Sequence, residues 1–291
     1  MEILRVPGWA PEADPEVAWL VHGFSTRTGG QTTVYRPESQ RGFDLNLGFT
    51  ADDAPEIVTA NRRLFCKAVG RQTDDLSLFT LKQIHSSLAH RVWDREQPVA
   101  LKGDGLMTSA PGVLLGIQTA DCLPVMIVDR RNRAVAIFHA GWRGTLARIV
   151  ENGLGRMRVE FGSRPEDLAA AIGPGIGPCC YSVGEEVRGQ FQSQFCYWED
   201  LFHETPVSDP VRENYPLLFL RARPPGHPGA GPALHLNLAE ANRRQLLAAG
   251  LSATAIYMTG DCTSCQTERF FSHRKEQGFT GRMMSVIGIR F

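Results

Sequence analysis

Strand-like segments crowd the middle of this 291-residue chain and rule out a regular alternation of strand and helix. Residues 76–84, 88–93, 113–119, 123–128 and 134–138 all read as strands, and strands outnumber helices there. A simple doubly wound fold does not accommodate that order, so the expectation is a mixed, layered α/β arrangement. Residues 17–24 read as a first strand, followed by a glycine-rich turn over 25–30. Residues 168–172, 253–258 and 283–289 complete the strands. Helices are predicted from Asp52 or Asp53 to Gly70 with Pro55 in the first turn, and over 145–161, 183–195 and 236–249, the last capped by Asn237. Six prolines between 209 and 232 mark a surface insertion in what reads as one domain, 1–291.

Composition narrows the function classes. Lys plus Arg and Asp plus Glu are both 31, and a net charge of zero argues against a nucleic-acid binder held by bulk charge. No apolar run approaches the roughly 20 residues of a membrane span. The stretch to Leu20 carries Glu2, Glu12, Asp14 and Glu16 instead of a basic start and apolar centre, so a cytoplasmic location is expected. Seven cysteines, an odd number in a chain of this size, do not suit a disulfide framework; each thiol is core filler, metal ligand or nucleophile.

Three polar residues stand at the edges of apolar strands: His85, Cys122 and His139. Residues 123–128 and 134–138 flank the short polar segment 129–133. An antiparallel hairpin centred between Arg130 and Arg131 would place Cys122 opposite His139. One thiolate and two imidazoles make a zinc set with an open fourth position, the pattern of a catalytic site, although a lone Cys or His beside a strand also serves as core. The glycine turns at 141–144 and 173–177 either admit tight turns or present backbone amides to an anion beside Arg143. Cys262 and Cys265 form a C-x-x-C without a second such pair. Nucleophile-elbow, P-loop and dinucleotide-binding glycine motifs are absent from the sequence.

Taken together, Phe24-Ser25-Thr26-Arg27-Thr28-Gly29-Gly30, Leu45-Asn46-Leu47-Gly48, Gln83-Ile84-His85, Thr119-Ala120-Asp121-Cys122-Leu123-Pro124, His139-Ala140-Gly141-Trp142-Arg143-Gly144, Ser272-His273-Arg274 and Thr280-Gly281-Arg282 resemble the purine nucleoside phosphorylase family formerly described as polyphenol oxidase or laccase-domain proteins. The resemblance implies a single layered α/β domain similar to Cys-His bacterial toxin deamidases. It also implies zinc, or copper, held by His85, Cys122 and His139. The implied reactions are phosphorolysis of adenosine, inosine, guanosine and methylthioadenosine, and deamination of adenosine. The implied partners are therefore small purine nucleosides and phosphate. Candidate substrate contacts are Arg27, Asn46, Asp121, Arg143, Arg274 and Arg282, with Asp121 also a candidate proton carrier. Lys275 departs from the arginine found in many members, which removes a planar bidentate contact. Laccase-like oxidation and a Cys-His amidase acting on a cell-wall precursor, both ascribed to relatives, stay open, as does a non-catalytic, zinc-stabilised binding module.

Overall fold

A hairpin buried on both faces lies in the middle of a six-stranded sheet in the structure, a computed structural model that describes residues 1–10, 13–36, 42–70, 76–96, 101–206 and 232–291. In chain order the elements are β1 (Ile3–Leu4), β2 (Leu20–Ser25), β3 (Thr28–Thr32), α1 (Pro55–Val69), β4 (Ser77–Phe79), β5 (Ala89–Arg91), β6 (Gly105–Thr108), β7 (Val113–Thr119), β8 (Leu123–Asp129), β9 (Ala134–Ala140), α2 (Trp142–Leu146), α3 (Ile149–Phe161), β10 (Leu168–Ile172), α4 (Glu185–Gln194), β11 (Phe202–Thr205), β12 (Ala233–Leu236), α5 (Leu238–Ala248), β13 (Ile256–Met258) and β14 (Met283–Ile289). They form two compact units, Met1–Gly177 with Leu238–Phe291, and Pro178–Asn237.

The larger unit is layered. One sheet has the order β1-β2-β14-β7-β4 and the other β13-β10-β8-β9-β6-β5, each with parallel and antiparallel pairs. Alternate side chains of the two sheets meet in one core: Leu20, Phe24, Leu115, Ile117 and Ile287 from the first, Met126, Val128, Val135 and Ile137 from the second. The opposite face of the first sheet packs Val21, Leu114 and Val286 against Phe65 and Val69 of α1. Behind the second sheet, Phe138 of β9 lies under Gly153 of α3. This is the mixed, layered α/β class expected, with every residue of β8 and β9 buried.

Several local expectations change. The hairpin pairs Pro124 with His139 and Asp129 with Ala134, one step away from the expected register. Asp129 accepts from the backbone and side-chain nitrogens of Asn132, both at 2.9 Å, and so closes a four-residue turn instead. The helix expected over 145–161 is two helices broken at Arg148, whose φ is +56°. The Thr145 carbonyl, which residue 149 would bond in a continuous helix, accepts from Gln245 Nε2 of α5 at 2.8 Å. The strand expected over 76–84 stops at Phe79, and the side chain of Gln83 then bonds both backbone groups of Gln118 in place of a ladder pair. Part of the glycine-rich turn is β3, and β6 is a strand the pattern did not announce.

The smaller unit contains α4 and the β11–β12 pair, with Phe191 packed against Phe195 and Phe202. The proline-rich stretch 209–232 lies, apart from Pro232, outside the described residues. Among the described residues no helix is long and apolar enough to cross a membrane.

Two glycines of α3 test the packing. A Cβ on Gly153 would stand 2.2 Å from Phe138 Cζ, whereas one on Gly155 meets nothing within 4 Å. Gly155→Ala is expected to stabilise by about 0.8 kcal/mol, and Gly153→Ala to destabilise by about 1–2 kcal/mol because overpacking outweighs the helix gain. Urea unfolding of both variants checks this; equal gains would refute the packing.

Candidate metal centre

His85, Cys122 and His139 converge where the β8–β9 pair runs out, and each reaches that place by a different local device. His139 is next to last in β9, on the face that Val135 and Ile137 present to the first sheet. Cys122 precedes β8 by one residue and shares the parity of Pro124, the register partner of His139. The observed pairing differs from the expected one by a whole two-residue step, which leaves both side chains on one face. His85 does not end a strand; it sits in a turn at φ +57°.

One ligand atom from each of the three lies within 4.8 Å of the others. Cys122 Sγ is 3.9 Å from His85 Nε2, and the two imidazoles meet edge to face at 4.9 Å between centroids. His85 is exposed, Cys122 half-buried and His139 buried, so the group opens to solvent on the His85 side. Burial opposes charge on Cys122, but the facing His139 and His85 outweigh it and hold the thiol below its usual range. Burial likewise disfavours a charged His139, and the Cys122 thiolate and Asp104 carboxylate overcome it, raising the imidazole above its ordinary value.

Asp104, just before β6, is the residue the sequence reading missed. Its buried carboxylate accepts from His139 Nδ1 at 2.8 Å and from the backbone amides of Ile84, His85 and Ser86. Burial alone would raise its pKa; the bonds from His139 and Ser86 bring it down to about 2. No local motif marks it, since its partners are 18 to 35 residues away.

The donor set fits a transition metal: a thiolate and two imidazoles suit zinc or copper, and a ligating histidine ordinarily gives its other N–H to a carboxylate. Gly141 supports the same reading, for a Cβ there would lie 2.9 Å from Cys122 Sγ and 3.1 Å from His85 Cδ2. The glycines at 173–177 serve close packing: a Cβ on Gly175 would meet Leu123 at 2.4 Å, and Ile176 donates to the Asp121 carbonyl at 2.7 Å.

The six expected substrate contacts separate by environment. Arg27 is buried, stacks over Phe271, and donates to Asp44 (3.0 Å), Glu276 (2.7 Å) and the carbonyls of Tyr35 and Thr267. Asn46 is buried and bonds Gly48, Asp53 and the Arg282 amide. Arg282 donates to the Thr280 and Gly281 carbonyls. Asp121, at φ +89°, accepts from Thr263 and Ser272 hydroxyls and the Arg274 amide. Arg143 and Arg274 are exposed, the former lying 4.4 Å over the Trp142 ring.

Residues 21–290 match the family described as multi-copper polyphenol oxidoreductase laccase. The purine nucleoside phosphorylase YlmD of Geobacillus stearothermophilus is 34% identical, over 97% of this chain and 95% of that protein. The adenosine deaminase RL5 of an unknown prokaryotic organism is 32% identical, over 92% and 93%. The crystal structure of Bacillus licheniformis hypothetical protein YfiH superposes with a TM-score of 0.76 at 32% identity, covering 93% of each chain.

Gly141→Ala is expected to leave the fold intact and to weaken zinc binding, by roughly the 10–100-fold seen when a ligand's support is lost. Competition with a chromogenic chelator measures it; unchanged affinity would remove Gly141 from the centre.

Proposed function

The chain belongs to the multi-copper polyphenol oxidoreductase laccase family, and from that premise we propose that it is a zinc-dependent purine nucleoside phosphorylase that also deaminates adenosine. The substrates in this reading are adenosine, inosine, guanosine and methylthioadenosine, with phosphate as co-substrate. The observation that carries it is the convergence of a thiol and two imidazoles, one of them backed by a buried carboxylate.

His85, Cys122 and His139 would hold the ion. Bound zinc supplies Lewis acidity, polarising an oxygen at neutral pH. In phosphorolysis, phosphate attacks ribose C1′ while the base departs. Of the candidate cations, Arg143 and Arg274 face solvent and suit a planar, bidentate grip on phosphate. Arg27 and Arg282 act from within, holding the loops in place through their carboxylate and carbonyl partners. Ile84 and Leu88, 43% and 54% exposed beside His85, offer an apolar shelf to a purine ring. Asp121 has its oxygens engaged by Thr263, Ser272 and the Arg274 amide, which favours a positioning role over proton transfer.

Two other readings share these residues. A Cys–His₂ set is also that of electron-transfer copper sites, in keeping with the family's description. Oxidation by a multicopper cluster would call for additional histidine-rich sites, and among the described residues this is the one potential ligand group that contains histidine. The line from Asp104 through His139 toward Cys122 equally suits a thiol hydrolase, with Cys122 as nucleophile.

Metal analysis beside nucleoside assays tests the proposal. With adenosine, phosphate-dependent release of adenine and phosphate-independent formation of inosine are expected. Cys122→Ala is expected to remain folded while losing bound zinc and both activities. Full turnover in chelator, with a trappable thioester, would establish the hydrolase instead; oxygen uptake with a phenol by copper-loaded protein would establish the oxidase.

A further inference from the structure

Asp104 touches the segments that carry both histidines, and we infer that it is the positioning residue that aims the two imidazoles of the centre. The inference rests on reading His85, Cys122 and His139 as ligands of one ion.

The two carboxylate oxygens divide the work. Oδ1 accepts from His139 Nδ1 at 2.8 Å and from the His85 amide at 3.0 Å. Oδ2 accepts from the Ser86 amide at 2.6 Å and the Ser86 hydroxyl at 2.8 Å, and the Ile84 amide points between the two at 3.2 Å from each. Holding the proton on Nδ1 leaves the Nε2 lone pair of His139 as the ligand atom. Wrapping three successive amides around one buried anion holds His85 in the left-handed region, a conformation that persists only where the surroundings impose it. The backbone of Asp104 adds to the grip, its carbonyl accepting from the His139 amide and its amide donating to the Leu88 carbonyl. One side chain thus sets the nitrogen used by one ligand and the backbone conformation of the other.

Asparagine is the discriminating substitution because it has the same shape and a single acceptor oxygen. If its oxygen faces His139, its NH₂ opposes the Ser86 amide. If it is flipped, its NH₂ faces Nδ1 and drives the ring proton to Nε2, where it blocks ligation. A role limited to stabilising the turn would lower the melting temperature and leave the ion's geometry alone. The experiment therefore uses cobalt(II) alone, read by its thiolate charge-transfer and ligand-field bands, and zinc alone, read by chelator competition.

For Asp104→Asn we expect zinc binding about 10–100-fold weaker, with displaced cobalt bands. Ser86→Ala keeps the carboxylate and should shift both readouts in the same direction by less. In metal-free protein, amide exchange at residues 84–86 should quicken in Asp104→Asn. A folded Asp104→Asn variant with wild-type zinc affinity and cobalt spectrum would overturn the assignment. Should that variant not fold, wild-type behaviour of Ser86→Ala in both readouts would overturn it. Zinc binding by the wild type without nucleoside turnover would count against the proposed reaction and leave the role of Asp104 standing.

Discussion

Antiparallel pairing of β8 with β9 constrains everything else in the larger unit. Both strands are buried throughout, one face against the first sheet and the other against helices. Polar side chains are admitted only where such strands run out, since within them no partner for an imidazole or thiol exists. His139 occupies that end within the ladder, and Cys122 stands one residue before β8. A centre built on paired strands keeps its geometry better than one built on loops alone.

The third member of the group has no such support from a ladder. His85 stands in a turn whose backbone is held by side chains: Gln83 bonded to Gln118 on one side and the Asp104 carboxylate on the other. Close approach also matters, for helix α2 starts beside Cys122 and His85 only because Gly141 lacks a side chain. Rigid strands, a side-chain-held turn and a bare backbone together create an opening lined on one side by a solvent-facing imidazole.

Charge is handled differently in the rest of the unit. Arg27 and Asp44 are both buried, and Arg36 and Glu276 complete an ion-paired network around them. Such a network is costly to desolvate and is kept together by full hydrogen bonding, so it suits the fixing of loops better than the capture of a passing anion. Arg143, by contrast, is exposed to solvent.

Much of the architecture was legible in the sequence because hydrophobic periodicity is local. The strands at 113–119, 168–172 and 283–289 stand where the pattern places them, as does the helix begun by Pro55. The three candidate ligands were legible too, as polar residues at the ends of apolar runs and as parts of recognisable strings. Tertiary structure alone decided the register, through the Asp129–Asn132 turn, and the break at Arg148, through a carbonyl claimed by Gln245. It also decided the importance of Asp104, whose donors come from residues 84–86 and 139. A sequence displays neighbours along the chain, whereas a buried carboxylate is defined by whichever distant donors the fold brings to it.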